Sequence, residues 1–259
     1  MTFAVSPPSA SKAPRNPPTW ATRLSRSRQN PPVNLHFDLN RDGFAIFPNC
    51  MDHVTVERLR ADFSETRGPD RNILSVQSVR ALATSDSVRE IVEKILGPKC
   101  FAVRGIFFNK TRQANWMVVW HQDLTIAVRE QHPVIGFGPW TTKAGIWHVQ
   151  PPSEIMSWTL TIRWHLDRSD CDNGPLRVIR STRMHGRLSA TEFAALAKND
   201  CVTCAVPEGG ALIMRPLLLH ASSACLVNKP RRVIHLEFAA RKLSHGLSWY
   251  HEVGRKSAG

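Results

Sequence analysis

Three His-x-Asp pairs stand out in the sequence: His36/Asp38, His121/Asp123 and His165/Asp167. In an extended strand, residues two apart project from the same face, so each pair would present an imidazole and a carboxylate side by side. One further, distant His completes a 2-His-1-carboxylate face. Such a face holds a divalent metal and leaves positions open for a co-substrate and oxygen. Spacing alone leaves the choice of pair open. His36/Asp38 precedes the β-rich part of the chain. His165/Asp167 sits where a strand enters an Asp- and Gly-rich loop (DRSDCDNG), so Asp167 suits a turn. His121/Asp123 ends an aromatic-rich stretch of strand formers and is preferred.

The distant His reads more clearly. Pro207 to His220 is a turn and then a strand ending in His, and Arg231 opens the next strand. A 2-oxoglutarate that chelates iron through its 1-carboxylate and keto oxygen extends a second carboxylate away from the metal. A fixed arginine, able to bind it in a bidentate fashion, suits that group best. Arg231 shares a strand face with Val233, His235 and Glu237, and Arg232 shares one with Ile234, Leu236 and Phe238. The first face is the more polar and suits a barrel interior carrying a site. The competing reading is two arginines that merely decorate a strand start.

The elements that must position these residues follow from pattern. Asp52 can cap a helix running to about Thr66, and 86–96 makes a second, stopped by Gly97-Pro98. Phe101–Phe108 and Trp116–His121 read as strands. From Met156 to Leu166, apolar Met156, Trp158, Leu160, Ile162, Trp164 and Leu166 alternate with polar Ser157, Thr159, Thr161, Arg163 and His165. That is a strand with two unlike faces, the polar one facing either water or a polar cavity inside a barrel. Ser189 and Glu192 form a capping box for a helix to about Lys198. Strands are then expected at Val202–Val206, Ala211–His220 and Arg232–Phe238. Helices first and many short strands after imply a mainly β (α+β) architecture, an antiparallel barrel or sandwich behind a helical layer. The expected organisation is a disordered Pro/Ser/Arg-rich tail at 1–32, one domain at 33–245 and a C-terminal tail at 246–259.

Composition narrows the function classes. The net charge is +13, and residues 1–30 hold Lys12, Arg15, Arg23, Arg26 and Arg28 with no acid. A basic excess can attract nucleic acid, anionic membrane or small anions. No helix-turn-helix, zinc-finger or RNA-binding signature accompanies it, so the expected partner is a small molecule, anionic in character, rather than nucleic acid or membrane. Cys50, Cys100, Cys171, Cys201, Cys204 and Cys225 are irregularly spaced, which suggests free thiols. With no apolar signal-peptide core, this points to a cytoplasmic location. The lone pair Cys201/Cys204 lacks partners for a zinc site and is expected to pack as thiols.

Beyond these readings, the chain resembles the phytanoyl-CoA dioxygenase family, especially its bacterial members, over roughly residues 38–240. The resemblance rests on Asn109-Lys110, Trp120-His121-Gln122-Asp123, Asn173-Gly174-Pro175-Leu176, Arg215 through Ser223 (RPLLLHASS) and Arg231 through Phe238 (RRVIHLEF). It implies a double-stranded β-helix (jelly roll) using Fe(II), 2-oxoglutarate and O2. His121, Asp123 and His220 would be the iron ligands. Arg231 would bind the distal carboxylate of 2-oxoglutarate, with Ser222 assisting and Asn109 near the co-substrate. The implied reaction hydroxylates an unactivated C–H and releases succinate and CO2. Related halogenases carry a small residue where this chain has Asp123, so hydroxylation is expected here. Desaturation, cyclisation or epimerisation by the same cofactors, and a silent ligand- or nucleic-acid-binding barrel, are the alternatives. The family often has Pro-Gly-Ser-His where this chain reads Arg180-Ser181-Thr182-Arg183. Candidate substrate contacts are Arg163 and Thr161 on the polar strand face, and Trp120 among the tryptophans around the site.

Overall fold

A computed structural model describes residues 38–111, 113–227 and 229–254. The tail expected at 1–32 and His36 lie outside the described residues. The two-faced strand is β7, Thr159–His165, and all seven of its residues are buried. It lies at the centre of a five-stranded antiparallel sheet ordered β1-β10-β7-β12-β2. The flanking strands are β1 (Phe44–Phe47), β10 (Ala211–Met214), β12 (Arg231–Ala239) and β2 (Phe101–Lys110).

The two faces of β7 go to different places. Leu160, Ile162 and Trp164 join Ile234, Leu236 and Phe238 of β12 in a core with three helices. These are α1 (His53–Asp62), α2 (Gln77–Thr84) and α3 (Asp86–Leu96). They contribute Val56 and Leu59, Val79 and Leu82, and Val88 and Val92 to that core. Asp52 caps α1 by accepting from the Thr55 N–H, and α1 ends at Asp62, a turn earlier than expected. Gly97, with φ 90°, closes α3 in a conformation that costs other residues a Cβ clash. Thr159, Thr161, Arg163 and His165 turn the other way, into the barrel. Of the two sequence readings of the polar face, the interior one is correct.

The opposing sheet is β3-β11-β8-β9: β3 is Val118–His121, β11 His220–Ser222, β8 Leu176–Val178 and β9 Val202–Cys204. A smaller sheet, β4-β6-β5, combines Ile126–Val128 (β4), Ile146–Val149 (β6) and Trp140–Lys143 (β5). Short helices α4 (Ser153–Ser157) and α5 (Ala190–Leu196) complete the set, α5 opening with the expected Ser189/Glu192 capping box. The molecule is a mainly β jelly roll with a helical layer on one sheet.

Two expectations change. The strand expected from Ala211 to His220 divides into β10 and β11, which belong to different sheets. Pro216 has no N–H to give a ladder, and between the strands Arg215 N donates to Gly43 O and Leu218 N to Arg215 O. This crossing is what carries His220 to the second sheet. The segment expected as a C-terminal tail packs against the domain through Leu247, Trp249 and Val253. Val253 bridges to Ala102 and Trp249 to Val128, and Trp249 is buried. All six cysteines are free thiols. Among the described residues, no helix is long and apolar enough to cross a membrane.

Candidate metal centre

β11 pairs with β3 so that His220 lies directly opposite His121. The two rings sit 4.1 Å apart between centroids and tilt by 52°. Each ring is oriented by a backbone carbonyl: His121 Nδ1 lies 2.8 Å from Val119 O, and His220 Nδ1 2.8 Å from Leu218 O. A carbonyl only accepts, so in the neutral rings Nδ1 carries the proton and Nε2 keeps its lone pair. Both Nε2 atoms converge on Asp123, at 3.9 Å from Oδ1 for His121 and 3.7 Å from Oδ2 for His220. One ligand atom from each of the three residues falls within 4.8 Å of the others. Carbonyl-anchored imidazoles beside a carboxylate are the usual surroundings of a metal-binding face.

The loop that carries Asp123 is held firmly. Its N–H donates to Pro216 O at 3.0 Å, inside the crossing that delivers His220. The buried Gln122 carboxamide donates to Gly186 O (2.8 Å) and Leu217 O (2.7 Å) and accepts from Leu188 N (2.9 Å). In the turn where the chain departs from Pro-Gly-Ser-His, the Thr182 hydroxyl donates to Ile179 O (2.8 Å) and accepts from Leu219 N (2.9 Å), steadying the residue before His220.

Electrostatics fix the protonation states. Burial alone would raise the Asp123 carboxyl, but His220, His235, His121 and Arg104 outweigh it and hold it well below the usual carboxylate range. Burial lowers His220 to about 4, with His121 adding to the effect and Asp123 opposing it. At neutral pH His220 is therefore a neutral imidazole and Asp123 a carboxylate, the forms in which these groups bind metal.

Among the described residues, neither His165/Asp167 nor Asp38 joins a metal-binding cluster. Asp167 accepts at 2.8 Å from Arg232 N, Nε and Nη2 and at 3.0 Å from Arg60, while His165 faces the interior with neither ring nitrogen partnered. Asp38 accepts from the N–H groups of Asn40 and Arg41 in a turn.

A cavity of about 460 Å³ opens beside the triad, within the ~300–1,000 Å³ usual for small-molecule sites. Arg231 lines it, is 2% exposed, and leaves Nε and Nη1 without partners among the described residues. Burial, reinforced by Arg163, lowers its guanidinium to about 9. A buried cation with orphaned donors is costly unless an anion meets it. Register places Lys110 opposite Arg231, with its Nζ 3.2 Å from Ser222 Oγ and 2.6 Å from Ser223 O. Burial and the nearby Arg231 lower Lys110 to about 8. Arg231, Lys110 and Ser222 thus form one cationic corner that matches a carboxylate. Asn109 is a correction: it pairs with Arg232, faces away from the cavity and donates to Thr66 O at 2.9 Å.

The family model described as Phytanoyl-CoA dioxygenase (PhyH) matches residues 39–233. The chain belongs to the phytanoyl-CoA dioxygenase family. Among solved structures it is similar to the non-heme alpha ketoglutarate dependent epimerase SnoN from nogalamycin biosynthesis, at 14% identity and TM-score 0.58, covering 78% of this chain and 77% of that one. It is also similar to EctD from S. alaskensis with bound Fe (16% identity, TM-score 0.58, 84% and 78% covered). HygX from Streptomyces hygroscopicus with iron bound is a third (14%, TM-score 0.56, 78% and 83%). At these identities the likeness establishes the fold. No sequence among the curated proteins compared matches the chain.

This family member's substrate side differs in part from expectation. Arg163 lines the cavity, but neither Thr161 nor Trp120 does. Thr161 sits deeper, opposite Glu237, and Trp120 lies under the Arg177 guanidinium at 5.4 Å. The tryptophan that does line the cavity is Trp116. Arg163 Nη1 donates to His235 Nδ1 at 3.0 Å, so His235 Nε2–H donates to Glu237 Oε1 at 3.0 Å. Arg104 closes the chain by pairing with Glu237. Lys110, Gln122, Arg104 and His235 were not among the residues picked from sequence. Lys110 stood inside a quoted motif, but its face depends on register with Arg231, which the motif does not state.

Proposed function

We propose that this chain is an Fe(II)- and 2-oxoglutarate-dependent dioxygenase that hydroxylates an unactivated C–H of a small-molecule substrate. The observation that carries the reading is one cavity holding both halves of the required site. His121, Asp123 and His220 would hold the metal. Arg231, with its orphaned donors, would take the distal carboxylate of 2-oxoglutarate, assisted by Ser222 and Lys110. Related structures support the cofactor pair, SnoN having been crystallised with Fe3+ and alpha ketoglutarate.

When bound, iron and 2-oxoglutarate supply an oxidant strong enough for C–H cleavage: R–H, O2 and 2-oxoglutarate give R–OH, succinate and CO2. The protein's own contribution is placement. Arg231 orients the co-substrate, the Val119 and Leu218 carbonyls orient the imidazoles, and the cavity wall limits water. Asp123 occupies the third protein position with a carboxylate, which leaves that position closed to halide and favours hydroxylation. The second reading, a different outcome such as epimerisation, draws on the similarity to SnoN, and product analysis separates the two.

Anaerobic addition of Fe(II) and 2-oxoglutarate should give a weak visible charge-transfer band, absent from a D123A/H220A double variant. Persistence of the band in that variant would remove the assignment of the triad.

A further inference from the structure

Cationic side chains line the cavity in two separate groups. Arg231 and Arg163 line it as one group, with Lys110 buried behind Arg231, whereas Arg71, Lys143 and Arg104 line it as another beside Asp123 and Glu237. Lys110 and Arg104 lie six residues apart on β2, so about 20 Å of strand separates the two ends. A 2-oxoglutarate with one carboxylate on the metal and the other on Arg231 has no further carboxylate for the second group. The second group therefore receives no anion from the co-substrate.

That second group is not neutralised from within. Arg104 is committed to Glu237, and Glu237 also accepts from His235. The Arg71 side chain has no hydrogen bond or ion pair among the described residues, and Lys143 Nζ reaches only the Thr125 hydroxyl, at 3.3 Å. Both are half-buried at the cavity wall. Burial lowers both, Arg104 lowers both further, and Arg71 also lowers Lys143. Their backbones are fixed. Asp70 exchanges hydrogen bonds with Phe107 of β2 at 3.0 and 2.8 Å just before Arg71, and Lys143 ends β5. Asp123 and Glu237 oppose these shifts from nearby, but among the described residues neither pairs directly with Arg71 or Lys143, and two held, partly desolvated cations with no carboxylate in contact favour an oxyanion bound between them.

We propose that the substrate carries a carboxylate or phosphate, and that Arg71 and Lys143, backed by Arg104, form the subsite that takes it. This rests on the dioxygenase reading, and it assigns the substrate class that the reading leaves open. The anion docks on Arg71 and Lys143 and the co-substrate carboxylate on Arg231, in the cavity that His121, Asp123 and His220 also line.

The test uses inorganic phosphate and acetate as probes, titrated calorimetrically under anaerobic conditions into the full chain loaded with Fe(II) and saturating 2-oxoglutarate. At least one anion should bind the wild type, more weakly as salt rises. R71Q and K143Q should each weaken it about tenfold, with R71K recovering most of the loss. The affinity for 2-oxoglutarate, read from the charge-transfer band, should stay within about twofold. Preference for phosphate points to a phosphate ester and preference for acetate to a carboxylic acid; both support the subsite. Failure of both anions to bind, or unchanged binding in R71Q/K143Q, overturns it. Loss of 2-oxoglutarate binding in that variant also overturns it, because the pair would then belong to the co-substrate. A wild type without the charge-transfer band defeats the dioxygenase reading instead, and the same titrations without iron and 2-oxoglutarate still decide the anion subsite.

Discussion

Arg231 enters the barrel with Nε and Nη1 unpartnered, whereas Arg232, its neighbour, is tied to Asp167 through three hydrogen bonds of 2.8 Å. The two should respond differently to truncation. R231A removes a buried bidentate donor and should weaken 2-oxoglutarate binding about 100-fold. R232A should leave that affinity nearly unchanged and cost about 1 kcal/mol of stability, since its ion pair is partly exposed. Titration of the charge-transfer band, together with urea unfolding, measures both. The opposite order would make Arg232 the co-substrate arginine. Period-2 parity made this choice readable in the sequence, because one face of the strand is polar and the other apolar. The same parity could not choose between Asn109 and Lys110. Which of those lies beside Arg231 depends on the β12–β2 register, and register is set by the folded sheet.

The elements show the same division. β7 was readable because strict alternation is a local property, and the choice between water and cavity was decided only when β10 and β12 closed around it. The division of Ala211–His220 into two strands was hidden, since apolar composition continues through Leu217, Leu218 and Leu219. Pro216 was the one local sign of a break. The Asn173-Gly174-Pro175-Leu176 motif now has a physical account. Asn173 Oδ1 accepts from Asp170 N at 2.9 Å and shapes the turn into β8. Gly174 has φ 69°, and a Cβ there would lie 2.4 Å from Ser223 O. That same carbonyl accepts from Lys110 Nζ at 2.6 Å. G174A should therefore destabilise the protein by more than about 1 kcal/mol, from backbone conformation and clash together. It should also weaken 2-oxoglutarate binding by displacing the Ser222–Lys110 corner. An unfolding midpoint and an affinity both equal to the wild type would show that the turn is not coupled to the site.

At the scale of the whole molecule, one five-stranded sheet serves two environments: an apolar outer face under the helices and a polar inner face that carries the chemistry. Stability and function should then separate by face. Trp164 tests this separation, because it is fully buried on the outer face of β7 and its indole N–H has no partner. W164A removes a large side chain from the helix-covered core and should cost about 3–5 kcal/mol. W164F keeps most of the volume and deletes the unpartnered donor, whose burial costs about 1–3 kcal/mol, so the two effects offset and the net loss should be small. Neither variant touches the cavity, and folded W164F should bind Fe(II) and 2-oxoglutarate like the wild type. Denaturant midpoints and the charge-transfer titration give the two readouts. If W164F proves as costly as W164A, the indole ring shape rather than its apolar burial holds the helices on the sheet. If W164F folds well but loses 2-oxoglutarate, the two faces of the sheet are coupled.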